Sequence, residues 1–164
     1  MKKNPDFLLK DFLTGADEAS LSKEAGKRLK ILRHEDVEKL TVYIGAGTCG
    51  IGAGADRTME AVNRYLEVNG LEADIVETGC IGLCSSEPIM DIQLPGRNRL
   101  SFEKVSEDLV DAILSSVLAG QPVHEDRILG QYYTPSLSEW VNVRDIRNHT
   151  FFKPQVRIVM ANCG

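Results

Sequence analysis

The sequence predicts an α/β fold with a mixed sheet and helices packed against it. Three observations lead there. Two short runs rich in β-branched and aromatic residues, at 41–44 and 73–77, flank one amphipathic stretch. An alternating pair of segments at 89–94 and 99–102 brackets Pro95-Gly96. A second amphipathic stretch follows from Ser106. The chain has 164 residues, of which 43% are apolar, enough for one ordinary core with a small appendage.

Each element has a local reason. Thr41-Val42-Tyr43-Ile44 reads as a strand that runs into the glycine-rich turn Gly45-Ala46-Gly47-Thr48-Cys49-Gly50-Ile51-Gly52. From about Ala53 to Val68, Ala55, Met59, Val62 and Leu66 recur at three- and four-residue steps, a helix with one apolar stripe, stopped by Asn69-Gly70. Ala73-Asp74-Ile75-Val76-Glu77 is a second strand. Since a full helix separates it from the first, the two are expected to be parallel through a right-handed crossover. Ile89–Leu94 alternates in period two, Pro95-Gly96 turns, and Arg99-Leu100-Ser101-Phe102 returns as a hairpin partner. Leu109, Ile113 and Val117 form the stripe of a last helix that Gly120 and Pro122 stop. The order β-α-β-β-β-α over 41–119 is thioredoxin-like.

Two flanking regions are expected. Residues 1–40 read as a helical appendage, with apolar spacing over 5–14 and 17–33 and a turn at Thr14-Gly15-Ala16-Asp17. Residues 120–164, carrying Pro122, Gly130, Pro135 and Pro154, read as an extended connecting arm. The aromatics Tyr132, Tyr133, Trp140, Phe151 and Phe152 gather in it, either as a docking strip or folded back onto the domain.

Charge narrows the function. The net charge is −5 and the basic residues are scattered among acidic ones, which argues against nucleic-acid binding. Neither a run of about 18 apolar residues nor a signal-peptide core is found, so no membrane insertion and a cytoplasmic location are expected. In a reducing compartment the four cysteines, Cys49, Cys80, Cys84 and Cys163, point to metal or redox chemistry more than to structural disulfides.

A parallel βαβ unit puts Cys49, Cys80 and Cys84 at one edge of the sheet. Gly47 and Gly50 in one loop, with Gly79 and Gly82 in the other, let backbone amides approach thiolates or bridging sulfides, as iron–sulfur clusters require. Cys49 also lies just before a helix N-terminus, which favours a thiolate. Each cysteine taken singly reads as a small buried apolar residue. Three in two glycine loops do not. A dithiol exchange site is ranked lower, since Cys49 stands alone at its helix. Zinc held by the three thiolates and one of His34, His124 or His149 is ranked lower still, because those histidines lie outside the cysteine loops.

Thr78-Gly79-Cys80-Ile81-Gly82-Leu83-Cys84, Glu87-Pro88-Ile89-Met90 and Leu94-Pro95-Gly96 together resemble the second half of the thioredoxin-like [2Fe–2S] ferredoxins. Gly45–Ala55 resembles the first half, and the likeness continues through Val105-Ser106-Glu107-Asp108 and the segment 118–123. The resemblance implies two ligand pairs, and only the second, Cys80 and Cys84, is intact. Gly45 and Gly50 stand at the positions of the first pair, with Cys49 displaced by one residue. A [2Fe–2S] cluster on Cys49, Cys80 and Cys84, lined by Gly47, Gly50, Gly79 and Gly82, would therefore have an incomplete cysteine set. The alternative is a clusterless interaction domain that packs on partner subunits.

The segment Val156–Gly164 resembles the entry to the flavin-binding domain of the NADH-oxidising subunit of complex I and its relatives in bacterial hydrogenases and formate dehydrogenases. That implies FMN and NADH sites in a downstream domain, a flavin-binding domain and other oxidoreductase subunits as partners, and no NADH oxidation by this segment alone. Cys163 falls in this stretch and is read as structural.

Overall fold

The computed structural model describes residues 23–32 and 35–158. It divides into two units, 1–36 and 37–164. In the first, helix α1 spans Lys23–Leu32 and lies within the second of the two helical stretches expected there. The expected helix over 5–14 lies outside the described residues, as does Cys163.

The second unit carries a five-stranded sheet in the order β2-β1-β3-β4-β5. Strand β1 (Leu40–Gly45) pairs in parallel with β2 (Ala73–Thr78), and Val42 faces Ile75. On its other side β1 pairs antiparallel with β3 (Met90–Gln93), which pairs with β4 (Arg99–Phe102) through the hairpin at Pro95-Gly96. Helices α2 (Thr48–Ala53) and α3 (Ala55–Asn69) form the crossover between β1 and β2, and α4 (Val110–Leu118) follows β4. The mixed thioredoxin-like order read from the sequence is the one observed.

Alternation along the strands separates two faces. Val42, Ile44, Met90, Ile92, Leu100 and Phe102 are fully buried, and they pack with Ala61, Val62 and Leu66 of α3 and Val110, Ile113, Leu114 and Val117 of α4. The opposite face is buried but polar. Arg99 lies 3.6 Å from Asp91 and stacks over the Tyr43 and Tyr132 rings, and the Tyr43 hydroxyl donates to Gln93. Burial raises the Asp91 carboxyl above its ordinary range, against the pull of Arg99. It pushes the Tyr43 phenol up to about 12.

Two features differ from the expected organisation. The crossover helix begins earlier than Ala53: Thr48–Ala53 is already helical, and Gly54, with φ 103°, breaks it from α3. Cys49 therefore sits inside the first turn of a short helix. The second difference lies in 120–164, where Ile128–Tyr132 forms β5, antiparallel to β4 with a register shift at Ser101/Phe102. Gly130 is required there by two independent constraints. Its φ is 156°, and a Cβ on it would lie 2.8 Å from Ile146 Cα and 2.9 Å from the Arg144 carbonyl oxygen. That close approach lets the Gln131 amide donate to Arg144. Trp140 folds back into the core, 2% exposed, with its indole N–H on the Asn98 carbonyl and the Arg97 guanidinium over its ring. Tyr132, Phe151 and Phe152 pack against a second apolar cluster of Ile81, Leu83, Ile89, Leu129 and Ile146.

Candidate metal centre

The site lies where the parallel pair β1 and β2 ends. Both strands finish on the same side of the sheet, at Gly45 and Thr78, with the Ala46 amide donating to the Thr78 carbonyl. The chain leaving β1 turns into α2, and the chain leaving β2 turns through Cys80 into a short 3₁₀ turn at Cys84–Ser86. Residues far apart in sequence are thereby brought together. The Sγ atoms of Cys49, Cys80 and Cys84 all lie within 4.8 Å of one another. Cys49 and Cys84 are exposed, Cys80 is half-buried, and all three are free thiols.

Cys80 and Cys84 Sγ are 3.7 Å apart. Two sulfurs at about 2.3 Å from one tetrahedral metal stand about 3.8 Å apart, so this pair is already spaced for a single ion to bridge. The Gly82 amide donates to Cys80 Sγ at 3.2 Å, the kind of donor that stabilises negative charge on a ligating sulfur. Sulfur crowding has an electrostatic signature too. The Cys84 thiol is held above its ordinary value chiefly by Cys49, with Cys80 acting in the opposite sense. A bound cation would relieve that penalty.

The glycines of the two loops play unequal parts. Gly82 supplies the observed amide donor. Gly47 permits close packing of the loops, since a Cβ there would lie 3.2 Å from both Cβ and N of Cys80. Gly79 faces open space. Gly50 is buried, and a Cβ on it would lie 1.9 Å from the Gly45 carbonyl oxygen, closer than any side chain tolerates. Loop one has thus closed around its glycines at the positions that the resemblance matched to the first ligand pair.

The donor chemistry fits an iron–sulfur group short of one thiolate: three convergent soft ligands and an amide donor, where such clusters take four protein ligands. Among the described residues no histidine joins the group, and His34 lies outside them. His149 instead accepts the Phe151 amide at Nδ1.

Sequence reasoning found the three cysteines and missed two neighbours. The Arg157 guanidinium donates to the Ile81 carbonyl at 2.7 Å, so the C-terminal arm is fastened to the second cysteine loop. Glu87, only 7% exposed, accepts the Ile89 amide at Oε2 and stands against Gly45 and Gly50. The Glu-Pro step after the cysteine pair was its one sequence signal.

No family model matches the chain. A curated relative, the NADP-reducing hydrogenase subunit HndB of Solidesulfovibrio fructosivorans, is 31% identical over 101 residues, covering 59% of this chain and 80% of the relative. Among solved structures, a thioredoxin-like [2Fe–2S] ferredoxin from Aquifex aeolicus is 18% identical, with TM-score 0.49, covering 62% of this chain and all of that one. A second structure, of the wild-type protein, is 19% identical with TM-score 0.47, covering 56% and 97%.

Proposed function

The chain belongs to the family of the NADP-reducing hydrogenase subunit HndB, and from that membership we propose that it is an electron-transfer domain of an oxidoreductase, with Cys49, Cys80 and Cys84 as protein ligands of a [2Fe–2S] cluster. The observation that carries this reading is the convergence of three sulfurs from two loops to within 4.8 Å. When bound, the cluster would supply one-electron transfer. The protein's own part is to hold the thiolates at the rim of the sheet, to aim the Gly82 amide at Cys80 Sγ, and to keep the loops close through Gly47. Since Cys49 and Cys84 are exposed, an electron would enter or leave on this side.

The finer assignment is an NADH-linked flavoprotein assembly in the cytoplasm, with other oxidoreductase subunits and a flavin-binding domain as partners and residues 120–164 leading towards that domain. Its support is the likeness of Val156–Gly164 to a flavin-domain entry. Among the described residues no helix is long and apolar enough to cross a membrane.

A second reading, a clusterless docking domain, is favoured by the closure of Gly50 against Gly45. Iron and acid-labile sulfide content, with the visible spectrum of protein purified without oxygen, decides between them. About two irons and two sulfides per chain, lost in Cys80→Ala, supports electron transfer. A colourless, iron-free, folded protein rejects it.

A further inference from the structure

Cys80 and Cys84 differ from Cys49 in what carries them. Cys49 sits in the first turn of α2, whose Gly50 packs on the Gly45 carbonyl, so a helix and a backbone contact fix its place. Cys80 lies outside helix and strand, and Cys84 opens the 3₁₀ turn Cys84–Ser86, with only residues 81–83 between them in one loop. Gly82 turns that loop at φ 92°, and nothing lies within 4 Å of where a Cβ on Gly79 would stand. The pair therefore shares a short loop with room to adjust.

Its two sulfurs are 3.7 Å apart. A disulfide needs about 2.05 Å, so an approach of about 1.7 Å closes it. The two sulfurs also differ in access. Cys84 is exposed, whereas Cys80 is half-buried and accepts the Gly82 amide at Sγ, at 3.2 Å. Thiol–disulfide exchange uses such a pair: an outer sulfur that an incoming disulfide reaches, and an inner one whose negative charge a backbone donor supports. The Cys84 thiol is held above its ordinary value, which makes it the stronger nucleophile once ionised.

We propose that the cluster-free chain exchanges with small-molecule disulfides, Cys84 attacking and Cys80 resolving, so that the second loop alternates between holding a cluster and holding its own disulfide. The alternation deepens the cluster reading and rests on it. Cys84 Sγ bonds to one sulfur of R–S–S–R, whose S–S bond breaks, and the first RS⁻ leaves and takes up the proton lost by Cys84. Cys80 Sγ then bonds to Cys84 Sγ, and the second RS⁻ leaves with the proton lost by Cys80. Two electrons pass from the chain to the reagent, giving one intrachain disulfide and two RSH. Both sulfurs are then used up as ligands, and Cys49 stays a thiol.

The test uses the full chain, made metal-free and reduced without oxygen, then treated with oxidised glutathione. Maleimide labelling under denaturing conditions, with peptide mapping, should find Cys80 and Cys84 joined to each other and Cys49 free. Cys80→Ser should stop at a glutathione adduct on Cys84, and Cys49→Ser should behave as wild type. Iron and sulfide uptake by the oxidised chain should be roughly tenfold below that of the reduced chain, and dithiothreitol should restore it. Free Cys80 and Cys84 after treatment, a lasting glutathione adduct on wild-type Cys84, or a bond from either to another cysteine overturns the proposal and leaves the cluster reading intact. Equal iron uptake by the oxidised and reduced chains overturns the alternation. A reduced wild type that takes up no iron overturns the alternation together with the cluster reading, and the mapped disulfide then reports on the exchange alone.

Discussion

Gly50→Cys is the substitution that sequence matching alone would choose to repair the first ligand pair, and the structure predicts that it fails. A Cβ at 50 would sit 1.9 Å from the Gly45 carbonyl oxygen and 2.9 Å from its carbon. The obstacle is backbone, held between the Ile89 carbonyl, which accepts the Gly45 amide, and the Thr78 carbonyl, which accepts the Ala46 amide. No side chain can swing away to relieve it. Overpacking in a fitted interior costs about 1–3 kcal/mol and sometimes more, and a backbone collision belongs at the upper end, near 3 kcal/mol. With an m value of roughly 2 kcal/mol/M in urea, the unfolding midpoint should fall by about 1.5 M. The matched control is Gly52→Ala in the same helix. A Cβ there meets nothing within 4 Å, and replacing a helical glycine should stabilise by about 0.5–1 kcal/mol. Urea unfolding followed by circular dichroism measures both. A Gly50→Cys protein as stable as wild type, and richer in iron, would refute the argument that loop one is closed to a side chain at 50.

Three further outcomes follow from named contacts. Trp140→Phe removes the indole N–H from the buried Asn98 carbonyl, and should cost about 2–3 kcal/mol in urea unfolding; a change under about 0.5 kcal/mol would mean that the contact carries little. His149 is held below its ordinary pKa by burial first and by Arg144 second, so the folded protein favours its neutral form. Its contribution should be complete above the unfolded value near 6.5 and be lost as pH falls through the lower folded value. Since the Phe151 amide donates to Nδ1, the protection of amides 151–155 against exchange, taken relative to their intrinsic rates at each pH, should fall at pH 5 compared with pH 7.5, and no longer do so in His149→Ala. Arg157→Ala deletes a charge-assisted bond to the Ile81 carbonyl worth about 1.5 kcal/mol, so thiol labelling of Cys80 should speed up roughly tenfold; an unchanged rate would show that the arm does not steady the loop.

What was legible in the sequence follows from which interactions are local. Strands β3 and β4 could be read because Met90–Gln93 and Arg99–Phe102 alternate in period two around Pro95-Gly96. The three cysteines could be placed together because parallel neighbours end on the same side of a sheet, whatever the distance along the chain. The early start of the crossover helix could not be read. Thr48–Ala53 carries two glycines that propensity disfavours in helices, and its helicity goes with the packing of Gly50 on Gly45. Strand β5 was hidden for a similar reason: it is five residues long with Gly130 in its middle, and pairing with β4 and the passage of 144–146 over that glycine define it. Glu87 belongs to the same class, since its side chain meets Gly45 from 42 positions further along the chain.

The passage of 144–146 across Gly130 also bears on how this sheet meets other molecules. A sheet can be extended by a foreign strand only at an edge that still offers backbone amides and carbonyls in register. On the β5 side that offer is already taken up, because Gln131 donates to Arg144 and is bridged in parallel to Asp145. Growth by strand addition is therefore directional. Among the described residues it is left to β2, where Asp74 is paired with Lys39 at 2.8 Å and the exposed Glu77 disfavours an acidic strand that would add there.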